Sequence, residues 1–114
     1  MKRLAALILG SSLALSVHAH TKLAATSPAA DAATAAPRAL ELDFGGEVRL
    51  TAVTLVDASG HAKHLDAVPT EVASKFSLAI HEPLAAGKYT VTWRAVGGDT
   101  HIVSGEFAFT VTAP

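Results

Sequence analysis

Four stretches of this chain place an apolar residue at every second position, and that period governs what it can fold into. Leu40, Leu42 and Phe44 alternate with Glu41 and Asp43. Phe76, Leu78 and Ile80 form a second series, Tyr89, Val91, Trp93 and Ala95 a third, and Phe107, Phe109 and Val111 a fourth. Successive side chains of an extended strand point to opposite faces, so each stretch buries one face and wets the other. Between them lie turn formers: Gly45-Gly46, Asp57-Ala58-Ser59-Gly60, Glu82-Pro83 and Gly97-Gly98. No segment carries a helical period and no repeat is present. Short alternating strands separated by turns predict an all-β fold, a β-sandwich or small barrel of about seven strands.

The details follow the same logic. Val48, Leu50, Ala52 and Thr54 open a further strand. Because Val53, Leu55 and Val56 are also apolar, this strand is expected to be covered on both faces. Thr26 to Pro37 is Ala-rich and carries Ser27-Pro28 and Ala36-Pro37, which predicts an extended lead-in and loop, since proline excludes helix from the residue before it. Leu84-Ala-Ala-Gly87-Lys-Tyr89 has the spacing of a tyrosine corner, in which the hydroxyl bonds back to upstream backbone. Tyr89 and Trp93 share an alternating face with Val91, a placement typical of core aromatics rather than ligand-stacking ones.

The first residues read as an address. Lys2 and Arg3 precede a mostly apolar run from Leu4 to Leu15, and Ser16-Val17-His18-Ala19 offers a cleavage site after Ala19. The run is shorter than the roughly 20 apolar residues a membrane helix needs. The expected organisation is a signal peptide over 1–19 and one domain over 20–114, exported and periplasmic, with a mature chain that is a monomer and not membrane-embedded. That mature chain keeps seven Lys/Arg against ten Asp/Glu, and no basic run, which excludes nucleic acid as a partner. Cysteine is absent, so no disulfide supports the fold, and any metal site must use imidazole, carboxylate or backbone groups.

Six histidines carry the remaining chemistry: His18, His20, His61, His64, His81 and His101. His18 leaves with the signal. His61 and His64 fall in a polar stretch expected to be loop, where two imidazoles three apart could share a metal but, with no helix to fix their geometry, read rather as two exposed side chains. His81 shows no evident partner in the sequence. Asp99 and His101 lie two apart, between two strand-like runs, and point to one side if the backbone there is extended. Such a pair is a carboxylate orienting an imidazole, an Asp/His metal pair, or an incidental hydrogen bond. Cleavage after Ala19 makes His20 the first residue, and its α-amine and Nδ1 can close a six-membered chelate ring. Their ordinary pKa values, about 7.7–8.0 and about 6.5, let a metal displace the protons. His20, Asp99 and His101 together would supply three nitrogens and one oxygen, a tetragonal set that suits Cu(II).

Three stretches give this reading a family. His20-Thr-Lys-Leu-Ala-Ala-Thr-Ser-Pro-Ala29, Leu84-Ala-Ala-Gly-Lys-Tyr-Thr-Val-Thr-Trp-Arg-Ala-Val96, and Gly98-Asp-Thr-His101 followed by Gly105 resemble the periplasmic copper-resistance proteins of the CopC family. The resemblance implies an Ig-like or cupredoxin-like Greek-key fold and a Cu(II) site at His20, Asp99 and His101. It also implies sequestration of copper or its delivery to a CopD-like inner-membrane partner, with no enzymatic turnover. Two features depart from the family. Some members carry a Met-rich Cu(I) loop, whereas the only methionine here is Met1, and the corresponding region, 56–68, holds His61 and His64. A carboxylate that members often place after the first core strand is displaced here to Glu47. Rival readings are a small copper monooxygenase, which shares the N-terminal histidine, and a metal-free Ig-like accessory module.

Overall fold

The computed structural model describes residues 23–114. The expected signal peptide and His20 lie outside them. The described residues form strands and connecting turns without a helix. The strands are β1 (Ala25–Ser27), β2 (Ala33–Thr34), β3 (Ala39–Asp57), β4 (Ala73–Ala79), β5 (Gly87–Gly97) and β6 (Ile102–Val111). They make one sheet in the order β1-β3-β5-β6-β2, with β4 also paired to β3. All pairings are antiparallel except that of β2 with β6. The lead-in expected to be extended does run extended. It supplies both edge strands, β1 and β2, joined by a turn closed by the Ala32 N–H on the Ala29 carbonyl.

Strand β3 sets the shape. Laid straight, its 19 residues would reach about 60 Å. It bends instead where Gly45 takes φ 73°, a conformation open to glycine, with the Gly45 N–H donating to Asp43 Oδ1 at 2.9 Å. Before the bend β3 pairs with β1 and β4; after it, with β5, keeping β4 only through Val48 opposite Ala73. Its two tips meet again through residues 62–66: the Lys63 N–H bonds the Leu55 carbonyl, and the Asp66 N–H bonds the Ala79 carbonyl. The strand is thus a V whose arms face each other. The two sequence segments expected as separate strands are these two arms, so six strands stand where about seven were counted.

The core fills the V. Near the apex Leu42, Phe44, Val48, Leu50, Phe76, Leu78, Trp93 and Ala95 pack together; nearer the tips lie Leu40, Leu55, Leu84, Tyr89, Val91, Phe109 and Val111. Every one belongs to the apolar phase of its strand except Leu84, which reaches in from the β4–β5 connection. The exception to simple alternation is in the second arm of β3, and it corrects the expectation of two-sided burial. A β-bulge between Leu50 and Ala52 shifts the register with β5, so Val48 and Leu50 point inward before it, and Val53 and Leu55 after it. Ala52 and Thr54 are exposed. One inserted residue therefore exchanges the faces, and consecutive apolar residues result without a second cover.

One aromatic side chain anchors the β4–β5 connection and another joins the two arms. The Tyr89 hydroxyl donates to the Ala85 carbonyl at 2.7 Å, the corner that the spacing from Leu84 to Tyr89 predicts. Trp93, only 6% exposed, meets Phe44 edge-to-face at 5.1 Å and lies across Gly105, its register partner on β6. A Cβ at Gly105 would stand 2.8 Å from Cζ2 of Trp93, closer than packed atoms come. Gly105→Ala is therefore expected to displace the indole and cost about 1–3 kcal/mol, the usual range for overpacking. Chemical denaturation followed by Trp93 fluorescence measures it.

Candidate metal centre

The β5–β6 hairpin carries Asp99 and His101 at the apex end of the V. Gly97 and His101 close it, the Gly97 N–H donating to the His101 carbonyl at 3.0 Å and the Thr100 N–H to the Gly97 carbonyl at 2.9 Å. This is a three-residue connection with a left-handed third position. That position is Thr100, at φ 64°. A β-branched residue there is strained by about 1–3 kcal/mol relative to an allowed conformation. The flanking ladder, from Val96 opposite Ile102 onward, holds the hairpin in place despite this cost.

Asp99 organises the loop. Its Oδ1 accepts the main-chain N–H of His101 at 3.1 Å, and its Oδ2 contacts Nδ1 of the His101 ring at 2.8 Å. The sequence spacing thus does bring carboxylate and imidazole together. With Nδ1–H donating to the carboxylate, the imidazole lone pair sits on Nε2, the tautomer that ligating histidines adopt when a carboxylate backs them. Both side chains are open to solvent, at 56% and 77% exposure. The ring contact first, and then the main-chain N–H, hold the Asp99 carboxyl below its ordinary value of 3.8. Glu47 borders a shallow groove beside this hairpin, with Arg49, Val72, Val96 and Thr100. Ile102, next to His101, is 70% exposed.

The register also fixes where the chain enters. β1 runs antiparallel to β3, with Ala25 opposite Asp43 and the Ala24 N–H on the Asp43 carbonyl at 2.7 Å. Leu23 packs against the apex cluster that contains Trp93 and Ala95. Val48, just past the bend, pairs with Gly97. Leu23 and the Asp99–His101 hairpin therefore occupy the same end of the fold. His20 lies outside the described residues. Among those residues no three His, Asp or Glu groups already converge as a metal site.

At the opposite end, His61 and His64 are exposed, as expected, but they make different contacts. His61 turns toward Asp57, with Nδ1 3.8 Å from Oδ2. His64 faces His81, the rings perpendicular at 5.6 Å between centroids. The sequence reading that left His81 without a partner is thereby corrected. Its Nε2 meets Asp66 Oδ1 at 2.5 Å, and the fold brings Asp66 to it across a turn that no local spacing reveals.

Comparison with known proteins gives this fold a family. The CopC domain model matches residues 23–112. Copper resistance protein C of Escherichia coli is 37% identical over 112 residues, spanning 87% of this chain and 86% of its own. The crystal structure of PcoC, a methionine-rich copper resistance protein from Escherichia coli, superposes with a TM-score of 0.69 at 34% identity, covering 82% of this chain and 100% of that one. CopC from Methylosinus trichosporium OB3b gives a TM-score of 0.69 at 30% identity, with 82% and 95% covered.

A titration tests the hairpin directly. The Asp99 carboxyl of the intact chain should titrate below 3.8, and in His101→Ala it should rise toward that value as its first-ranked partner is lost. The sign follows from the depressed folded-state pKa: the pair's stabilisation is present above the ordinary Asp range and fades as pH falls through the folded value. Side-chain carboxyl NMR across acid pH reads both titrations.

Proposed function

This chain belongs to the CopC family, and from that premise we propose that it is an exported, periplasmic copper-binding protein that holds Cu(II). Copper is its cargo. The relatives are named for copper resistance and not for a reaction, and the chain is not an enzyme. Its mechanism is coordination, which sets aside the monooxygenase reading. Family membership likewise disfavours a metal-free accessory module.

In this reading the signal peptide is removed after Ala19, leaving one domain from His20 to Pro114. His20 then supplies its α-amine and Nδ1, His101 an imidazole nitrogen, and Asp99 a carboxylate oxygen. The observation that carries the proposal is the shared end of the fold. Leu23 packs at the apex where Asp99 and His101 stand, and the three residues from His20 to Leu23 can reach up to about 10 Å. Nitrogen and oxygen donors of this kind favour Cu(II), which also heads the divalent affinity order. Cu(I) selects sulfur, and the only methionine of the chain is Met1, in the segment removed with the signal. A relative named as methionine-rich thus differs in the donors it can offer. The proposed outcome is sequestration by a monomer, or transfer to a CopD-like inner-membrane partner.

The reading commits to one first residue. Intact mass of the exported protein should begin at His20. Cu(II) titration followed by EPR should show, over the first equivalent, a signal with nitrogen hyperfine structure that is lost in His101→Ala and that weakens as pH falls because protons compete for the same lone pairs. One extra residue ahead of His20 removes the amine from its chelate ring and should cost most of the affinity, as should His101→Ala. Unchanged tight binding in the extended protein overturns the coordination proposed.

A further inference from the structure

The tips of β3 carry a second group of imidazoles, and its arrangement comes from one bridge. Leu65 pairs with Ile80 in antiparallel fashion. His64 is therefore directly opposite His81, and Asp66 opposite Ala79. The main chain agrees: the His81 N–H donates to the His64 carbonyl at 2.8 Å, and the Asp66 N–H to the Ala79 carbonyl at 3.0 Å. Leu65 and Ile80 pack inward on the core. The neighbours of an inward residue point outward, so His64, Asp66 and His81 share one solvent face.

Asp66 is built in as firmly as Asp99 is. The Ala79 N–H holds its Oδ2 at 3.0 Å, and its Oδ1 meets His81 Nε2. That contact, then the Ala79 N–H, keeps its carboxyl below the ordinary value. With Nε2–H directed at the carboxylate, the His81 lone pair lies on Nδ1. A carboxylate that grips one ring nitrogen and leaves the other to act as donor is the usual support of a ligating histidine. His64 presents a second imidazole 5.6 Å away, perpendicular to the first. It is exposed, and rotation about χ2 of a histidine is soft, so its nitrogen can turn toward the same ion.

We propose that His64 and His81 bind a divalent transition ion of the borderline class, Zn(II) or Cu(II), with Asp66 as the carboxylate that orients His81. Water completes the coordination. Two imidazoles without sulfur suit these ions. His61 stands apart, turned to Asp57, which Lys63 also approaches at 3.4 Å. Asp99 and His101 lie at the other end of the V, so the two sites are separable by experiment.

Zn(II) is the probe, because it is diamagnetic and leaves imidazole NMR signals visible. The exported protein carrying His101→Ala is titrated with Zn(II) alone. The ring resonances of His64 and His81 should shift together and saturate at one equivalent, while those of His61 stay in place. His64→Ala and His81→Ala should each abolish the saturating shift of the remaining ring. Asp66→Asn should weaken binding about 10–100-fold, the usual loss when a supporting carboxylate goes, and His61→Ala should change nothing. Trp93 fluorescence verifies that each variant is folded. Zinc shifts confined to His20 or His61, or a His81 shift that survives His64→Ala, overturn the assignment. Failure of the His20 site in its own Cu(II) titration leaves this result unaffected, since the readout is specific to the two rings.

Discussion

One strand holds the molecule together, and it does so by bending. β3 belongs to both arms of the sheet, so the inner faces of β4 and β5 are brought opposite each other by a single covalent path. Without a disulfide, closure of the V rests on apolar contact between the arms and on the main-chain bonds of residues 62–66 at the tips. The arms must therefore present their apolar phases at matching heights. Gly45 provides the bend, the bulge near Thr51 resets the phase of the second arm, and Trp93 spans the gap to Phe44 because Gly105 leaves it room. Each device answers the same demand, that a long strand keep one face covered on both sides of a corner.

Placement of both polar ends follows from that V. Its apex abuts the β5–β6 hairpin through the pairing of Val48 with Gly97, and its tips are tied by residues 62–66. Side chains with metal-binding chemistry collect at the two ends because the flanks are taken up by alternating strands. The described residues bury no charged side chain, and the carboxylates of Asp43, Asp57, Asp66 and Asp99 are each held by main-chain N–H groups. Loops on a rigid scaffold are where such groups gain defined positions.

How much of this the sequence discloses depends on the range of the interaction. Tyr89, Val91, Trp93 and Ala95 announce their common face by period alone, and the Tyr89 corner follows from a spacing of five residues. Asp99 and His101 are likewise legible, because two positions in one turn decide their contact. The bulge is not: Arg49-Leu50-Thr51-Ala52 contains no glycine, and an apolar residue on each side of it reads equally as a strand covered twice. Nor is the bend, since Gly45-Gly46 signals an end to a strand as readily as a corner within one. His81 and Asp66 are 15 positions apart, and only the bridge of Leu65 to Ile80 makes them neighbours. Local pattern carries no information about that pairing.

Asp66 and Asp99 solve one problem twice. Each carboxylate gives one oxygen to a main-chain N–H and the other to an imidazole. The main-chain bond fixes the carboxylate, and the fixed carboxylate then selects which ring nitrogen keeps its lone pair. At Asp99 it grips Nδ1 of His101; at Asp66 it grips Nε2 of His81. Opposite ring nitrogens thus keep their lone pairs at the two ends; in the sites proposed above Asp66 goes on supporting His81, whereas Asp99 exchanges its ring contact for the ion itself. The described residues hold no sulfur, so at the sites proposed above affinity would come from such preorganised nitrogen and oxygen, since a mobile imidazole would lose rotamer freedom on every capture. Both carboxyls are held low by these contacts, so the supports stay charged well into acid.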